Sequence, residues 1–279
     1  MRVLVTGANG QLGYDVIDRL EKCGIEHKGA GSKDFDITDK QKTIEAICAY
    51  HPDAVIHCAA YTEVDRAESE KELCYVVNVD GTKNVAEVCR KIDAKMIYLS
   101  TDYVFDGKGE TPFETDSSKA PLSQYGLTKS LGEDAVMAVI SKYYIVRTSW
   151  VFGINGGNFV KTMMRLGKEK EQLQVVNDQI GSPTYTFDLA KLLVDMLHTD
   201  KYGVYNVTNE GYCSWYEFAH AIVRKARLSC EVKSITTEEY PTVAVRPLNS
   251  RMSKKSLDEA GFDRLPGWEE ALSHFLNTK

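Results

Sequence analysis

The chain has 279 residues, 43% of them hydrophobic and 27% charged, close to the globular average of about 25% charged, which excludes a disordered, collagenous or low-complexity protein. Its 34 basic and 40 acidic residues leave a net charge of −6, so no basic surplus drives non-specific binding to nucleic acid. No apolar run approaches the roughly 18 residues of a membrane helix, and the start, Met1-Arg2-Val3-Leu4-Val5-Thr6-Gly7, lacks the apolar core and cleavage site of a signal peptide; the expectation is a soluble cytoplasmic protein.

In chain order, residues 3–6 form a short β-branched run. Residues 11–23 carry Leu12, Val16, Ile17 and Leu20 at helical spacing, and Gly24 stops that helix. Residues 25–28 read as a second strand. Thr38-Asp39-Lys40-Gln41 has capping-box spacing ahead of a helix to about Tyr50, which His51-Pro52 breaks. Residues 53–60 read as a buried strand and 69–92 as a helical stretch bent near Gly81. Strand 95–101, helix 125–140 and strand 143–150 follow. Past Gly153 the rhythm loosens. Helices are expected at 158–167, 188–198, 214–228 and 268–276, with short strands at 174–176 and 204–207. The alternation argues for βαβ units and a doubly wound, Rossmann-like parallel sheet covered on both faces.

Seven cysteines occur, at positions 23, 48, 58, 74, 89, 213 and 230, with no C-x-x-C. They read as reduced, mostly buried thiols rather than disulfides, metal ligands or nucleophiles.

Between the first strand and first helix lies Thr6-Gly7-Ala8-Asn9-Gly10-Gln11-Leu12-Gly13. Glycines there let the backbone turn tightly and approach a pyrophosphate, and the helix N-terminus offers free N–H groups to phosphates. The spacing is G-x-x-G-x-x-G. The plain alternative is a steric turn. The second strand ends in Gly29-Ala30-Gly31-Ser32-Lys33, with no carboxylate for an adenosine ribose. A 2′-phosphate would meet no repulsion there, and Ser32 or Lys33 is placed to approach it; Asp34 and Asp36 follow on the adenine side. The bland reading is a solvated loop. Residues 1–152 are thus expected to form an NAD(P)-binding core, and 153–279 mainly a substrate-binding cap with some segments returning to the core.

Tyr125 and Lys129 stand four apart on one face of a helix. A phenol has an ordinary pKa of about 10, and a nearby ammonium would favour phenolate. Alone, such a pair is more often a surface pair. Ser100-Thr101-Asp102 ends a strand, where ligands bind in open α/β sheets. Thr101 can donate to a carbonyl oxygen and Asp102 can accept from a substrate hydroxyl; the competing reading is a turn. Asn78 suits a proton relay or a helix bend equally.

These motifs, in this order, resemble the extended short-chain dehydrogenase/reductase family. Further stretches narrow the likeness to the dTDP-4-dehydrorhamnose reductases: Cys58-Ala59-Ala60-Tyr61-Thr62-x-Val64-Asp65, Ser100-Thr101-Asp102-Tyr103-Val104-Phe105-Asp106-Gly107, Arg147-Thr148-Ser149-Trp150-Val151-Phe152-Gly153, Asp178-Gln179-x-Gly181, Ser214-Trp215 and Arg246-Pro247-x-Asn249-Ser250. The resemblance implies reduction of a dTDP-linked 4-keto deoxysugar by NADPH or NADH. It implies Tyr125, Lys129 and Thr101 as catalytic residues, and Thr101, Asp102, Tyr125 and Trp150 as substrate contacts. Gly7, Gly10, Gln11, Leu12, Gly13, Asp36, Ile37, Ala60, Tyr61, Thr62, Tyr125 and Lys129 match cofactor contacts. Family members can dimerise around a divalent metal such as Mg held by acidic residues; the ligands are unassigned, with Asp15 the candidate.

Two other functions share this fold. One is a nucleotide-sugar epimerase or dehydratase; a dehydratase carries a Glu where Tyr103 stands. The other is a binding protein like the regulatory subunit of methionine adenosyltransferase, against which the retained Tyr125, Lys129 and Thr101 argue.

Overall fold

The computed structural model describes residues 1–278. Strand β1 (Arg2–Thr6) leads through α1 (Gln11–Lys22) to β2 (Glu26–Ala30), then α2 (Lys40–Tyr50) and β3 (Ala54–His57). Two short helices, α3 (Val64–Ala67) and α4 (Lys71–Tyr75), run into a π-helical turn at Val76–Gly81 and then α5 (Thr82–Lys91). Next come β4 (Lys95–Thr101), a 3₁₀ turn at Asp102–Val104, α6 (Gln124–Val139) and β5 (Tyr143–Thr148).

The later elements are β6 (Val151–Phe152), α7 (Phe159–Glu169), β7 (Gln172–Val176), β8 (Ile180–Gly181), β9 (Thr184–Tyr185) and α8 (Thr186–Leu197). They continue with β10 (Gly203–Asn206), β11 (Cys213–Ser214), α9 (Trp215–Lys225), β12 (Glu231–Ile235), α10 (Lys255–Ala260) and α11 (Trp268–Asn277).

The main sheet has the order β10-β5-β4-β3-β1-β2, and every pairing in it is parallel. The chain order reverses between β1 and β3, which opens a crevice at the carboxyl ends of those strands. Side-chain alternation builds two core layers. Val3, Val5, Ile56 and Ile97 pack with Val16 and Leu20 of α1 and Leu189, Leu193 and Leu197 of α8. Leu4, Val55, Met96 and Tyr98 face the other way, against Ile47 of α2, Val85 of α5 and Val136 of α6. Strand β10 adds an edge to the core sheet, and Leu257 of α10 joins its first layer. A separate cluster joins α7, β7, α9, β12 and α11 around Phe152, Phe218 and Phe275.

Several sequence expectations shift. Asp39, not Thr38, caps α2: its Oδ1 accepts from the Lys42 N–H at 3.1 Å, while Thr38 bonds to Asp36. The helical stretch 69–92 is interrupted by the π-turn rather than simply bent at Gly81. Strand β5 stops at Thr148, because Trp150 has a left-handed backbone at φ +50° that no strand continues. All seven cysteines are free. No described helix is long and apolar enough to cross a membrane.

Candidate active site

At the switch point, Gly7 takes φ +65°, and a Cβ there would lie 2.7 Å from the Ala59 nitrogen. A Cβ at Gly13 would collide with the Gly7 carbonyl oxygen. Both glycines are therefore required by close approach of backbone to backbone. Gly10 caps α1, whose first turn holds no acidic residue, so its free amides keep their affinity for anions.

A cleft of about 790 Å³ runs along the carboxyl edge of the sheet. At one end it is lined by Gly31, Ser32, Phe35, Asp36 and Ile37. It passes Gly7, Gly10, Gln11, Leu12 and Gly13, then Ala60 and Thr62, and reaches Thr101, Asp102, Tyr125, Lys129 and Trp150. Those matched residues share one wall-to-wall space. Asp36 also builds its loop, accepting from the Thr38 N–H at 2.9 Å. Asp34 accepts from the Gly31 N–H at 2.8 Å, which turns its charge into the loop.

Tyr61 is the exception among the matched residues. Its phenol donates to Glu70 at 2.6 Å instead of lining the cleft. Only its backbone is held at the site, by Asn78, whose Oδ1 accepts from the Tyr61 N–H at 2.8 Å. The Asn78 amide also donates to the Tyr61 carbonyl and to Thr128 of α6, both at 3.1 Å. Asn78 sits in the π-turn. Its place is thus the helix bend expected for it, and its side chain clamps the loop after β3 to helix α6.

Ser123 caps α6, its hydroxyl accepting from the Gly126 N–H at 3.2 Å. The helix then carries Tyr125 and Lys129 into the cleft on one face. Burial pushes the Tyr125 phenol up from its ordinary value, against the pull of the Thr101 hydroxyl beside it. Burial, not the Lys129 charge, sets the direction of this shift. Burial also brings Lys129 down to about 7, opposed chiefly by Glu133. The Thr101 hydroxyl donates to Asp102 Oδ1 at 3.0 Å. Asp102 Oδ2 is buried without a hydrogen-bond partner. Burial lifts that carboxyl to about 6, although the hydroxyls of Ser250 and Thr101 pull it down. Below these groups Glu133 takes two hydrogen bonds of 2.8 Å from Arg147 and one of 2.6 Å from Ser100, tying α6, β4 and β5 together.

At the far end Trp150 stacks on Trp215, with ring centroids 3.8 Å apart. Trp215 lines the same cleft and was absent from the sequence-based site. Its signal was there in Ser214-Trp215, where Ser214 and Glu217 form a reciprocal capping box that fixes the start of α9.

Asp15 does not suit an interface metal. It is 4% exposed and accepts from the Thr186 hydroxyl. A carboxylate turned inward cannot reach a metal shared with a second copy. Among the described residues no group of three or more His, Cys, Asp or Glu is arranged to hold a metal ion.

A glycine turn at the switch point of a parallel sheet, with the Tyr125, Lys129 and Thr101 cluster further along the same cleft, defines a dinucleotide-dependent oxidoreductase of the extended short-chain dehydrogenase/reductase type. The chain belongs to the RmlD substrate binding domain family, whose model matches residues 1–279. It is 42% identical to the spore coat polysaccharide biosynthesis protein SpsK of Bacillus subtilis, covering 100% of this chain and 98% of that one. It is 39% identical to the dTDP-4-dehydrorhamnose reductase of Aggregatibacter actinomycetemcomitans, covering 98% and 97%. The crystal structure of dTDP-4-dehydrorhamnose reductase from Bacillus anthracis in complex with NADP superposes with a TM-score of 0.98 at 44% identity, covering 100% and 99% of the two chains. A UDP-glucose 4-epimerase from Thermus thermophilus, at 20% identity and a TM-score of 0.84, shares the fold.

Proposed function

We propose that the chain reduces the 4-keto group of dTDP-4-dehydro-L-rhamnose to dTDP-L-rhamnose, using NADPH or NADH. The observation that carries this is the convergence of Thr101, Asp102, Tyr125 and Lys129 with Trp150 at the end of the cleft remote from Gly31 and Ser32, in a chain similar throughout to an NADP-bound reductase of that substrate.

The glycine cradle and the bare start of α1 fit a pyrophosphate and would hold that part of a dinucleotide, while Gly31 and Ser32 line the end of the cleft that would take its adenosine. When bound, the dinucleotide supplies the hydride for the carbonyl carbon. The Thr101 hydroxyl turns its one hydrogen from Asp102 Oδ1 to the substrate oxygen as negative charge gathers there. Tyr125 donates the proton to that oxygen. Its raised pKa suits this, because the phenol stays protonated until the much more basic alkoxide develops. Lys129 orients the cofactor ribose. Asp102 accepts from a hydroxyl of the sugar through its unpartnered Oδ2. Trp150 and Trp215 offer an apolar face to the deoxyhexose.

Tyr103 argues against a dehydratase. Its ring packs edge-on against Tyr125 at 5.6 Å, and burial keeps the phenol protonated, so position 103 supplies no carboxylate base to work with the neighbouring Asp102 in removing a carbon-bound proton. The deciding experiment is NADPH oxidation by the purified chain on addition of dTDP-4-dehydro-L-rhamnose, with UDP-linked 4-keto sugars in parallel. Absence of turnover with the dTDP sugar refutes the assignment.

A further inference from the structure

Lys129 is 2% exposed, yet its ammonium faces an aromatic ring. Nζ lies 4.1 Å from the centroid of Tyr98 on β4. The carboxylate one helical turn further on, Glu133, spends its oxygens elsewhere, on Arg147, Ser100 and Lys119. Tyr98 is fully buried and held from three sides. Its ring stacks with His57 at a centroid distance of 5.9 Å and 20° between planes. Its hydroxyl donates to the Lys129 carbonyl at 3.4 Å. Gly132 of α6 leaves it room, since a Cβ there would collide with the Tyr98 hydroxyl. The helix that carries Tyr125 and Lys129 thus gives up a side chain to admit this ring.

We propose that Tyr98 is a positioning residue for Lys129: its ring face receives the ammonium in the water-excluded wall of the cleft, keeping the cation charged and held in one place. The inference rests on the reading of Lys129 as part of the reductase site. An aromatic face attracts a cation electrostatically, and the attraction grows when water is excluded.

The groups around Lys129 set the direction of the effect. From its own helix come Tyr125 and Glu133, from the end of β3 His57 and from the loop after it Cys58, from α4 Cys74 and from β4 Tyr98. Arg147 of β5 faces it only through Glu133. His57 is neutral, its pKa driven to about 3 by burial and by the Lys129 charge. Burial brings Lys129 itself to about 7, so its charge is at risk in the working pH range. The protonated amine is the competent form. Activity therefore falls as pH rises through the Lys129 pKa, and loss of the ring moves that fall to lower pH.

The test is kcat/KM against pH for Tyr98→Leu and Tyr98→Phe in the full chain, with NADPH and the dTDP keto-sugar. Leucine should move the alkaline limb down by about one pH unit, the scale of a desolvated cation–ring contact. Phenylalanine keeps the ring and should leave the limb where it is in the wild type. An unmoved limb in the leucine variant overturns the proposal. Lys129→Met separates the two levels: wild-type turnover there refutes the role of Lys129, whereas an inactive variant beside an unmoved Tyr98→Leu limb refutes Tyr98 alone. If the leucine variant does not fold, the wild type answers through its ¹³Cε-lysine NMR spectrum. The resonance missing in Lys129→Met should be shifted upfield by the ring current, and an unshifted resonance overturns the proposal.

Discussion

Trp150 and Trp215 lie face to face, their ring planes within 15° of parallel, although one follows β5 of the main sheet and the other opens α9, sixty-five residues on. Phe159 tilts against Trp215 at 4.5 Å from behind. The pair therefore ties the end of β5 to the hydrophobic cluster around Phe218 and walls the cleft at the same point.

Truncating Trp215 tests the sugar-facing role of that wall. Trp215→Ala should lower kcat/KM for the dTDP keto-sugar by about ten- to a hundredfold, the equivalent of roughly 1.4–2.7 kcal/mol of transition-state binding. NADPH affinity, measured by fluorescence titration, should change by less than about threefold, because the glycine cradle lies elsewhere. An equal loss in both would assign the indole to the cofactor instead.

Trp150 carries a second signature in its backbone. A non-glycine residue at φ +50° stores on the order of 1 kcal/mol of strain. Trp150→Ala and Trp150→Gly both remove the indole, so both should impair turnover of the sugar. The glycine variant is relieved of the strain and should be about 1 kcal/mol more stable than the alanine variant in denaturant melts. Equal stabilities would mean that the backbone relaxes once the stacked ring is gone.

Tyr125→Phe deletes one hydroxyl and leaves the ring packed beside Tyr103. Fold and NADPH binding should persist while turnover drops by about 10²–10⁴-fold, the usual contribution of a general acid. A phenylalanine variant of near wild-type rate would take Tyr125 out of the chemistry.

What was legible in the sequence was what local spacing dictates. Gly7, Gly10 and Gly13 announce their turn because strand, turn and helix are contiguous. Tyr125 and Lys129 share a face because they are four residues apart. Asp102 and Trp150 could be set beside the site because each follows a core strand. What escaped depends on distant partners. Trp215 reaches the cleft only through the packing of α9. Asp15 reads as a surface acid until Thr186, far along the chain, covers it. Strand β12 pairs in parallel with β7, a pairing its alternating charges do not suggest. The role of Tyr98 needed β4 and α6 side by side.

The end of β2 carries a prediction about cofactor choice. Residues 29–33 bring no carboxylate to that rim, and Asp34 is turned toward the Gly31 amide. NADH and NADPH should both support reduction, with kcat/KM values within about tenfold, or roughly 1.4 kcal/mol. A preference beyond about a thousandfold in either direction would mean that Ser32, Lys33 or Asp36 discriminates after all.

Asp102 offers a test in which stability and activity should move in opposite directions. Its carboxyl is 3% exposed and its Oδ2 has no partner, so burial raises its folded pKa to about 6 from an ordinary 3.8. A raised carboxyl pKa means that the folded state holds the proton more tightly than the unfolded chain. The penalty is absent below the unfolded pKa of 3.8, grows as pH rises from there to about 6, and is complete above it. Two pKa units correspond to about 3 kcal/mol, an order-of-magnitude figure for the cost of the ionised side chain. Asp102→Asn keeps the shape and removes the charge. It should therefore raise stability at pH 7–8 by about 1–3 kcal/mol and give almost no gain near pH 3, below both the unfolded value of 3.8 and the folded value of about 6, where the wild-type carboxyl is mainly neutral in both states. The same change removes the strong acceptor proposed for a sugar hydroxyl, so kcat/KM for the dTDP keto-sugar should fall at least about tenfold at pH 7, the loss of one charge-assisted hydrogen bond. Urea melts at both pH values and steady-state kinetics on one variant read both effects. A variant that is destabilised at pH 8 would show that the carboxylate is held by partners the present geometry lacks, and a variant of unchanged activity would remove Asp102 from the substrate site.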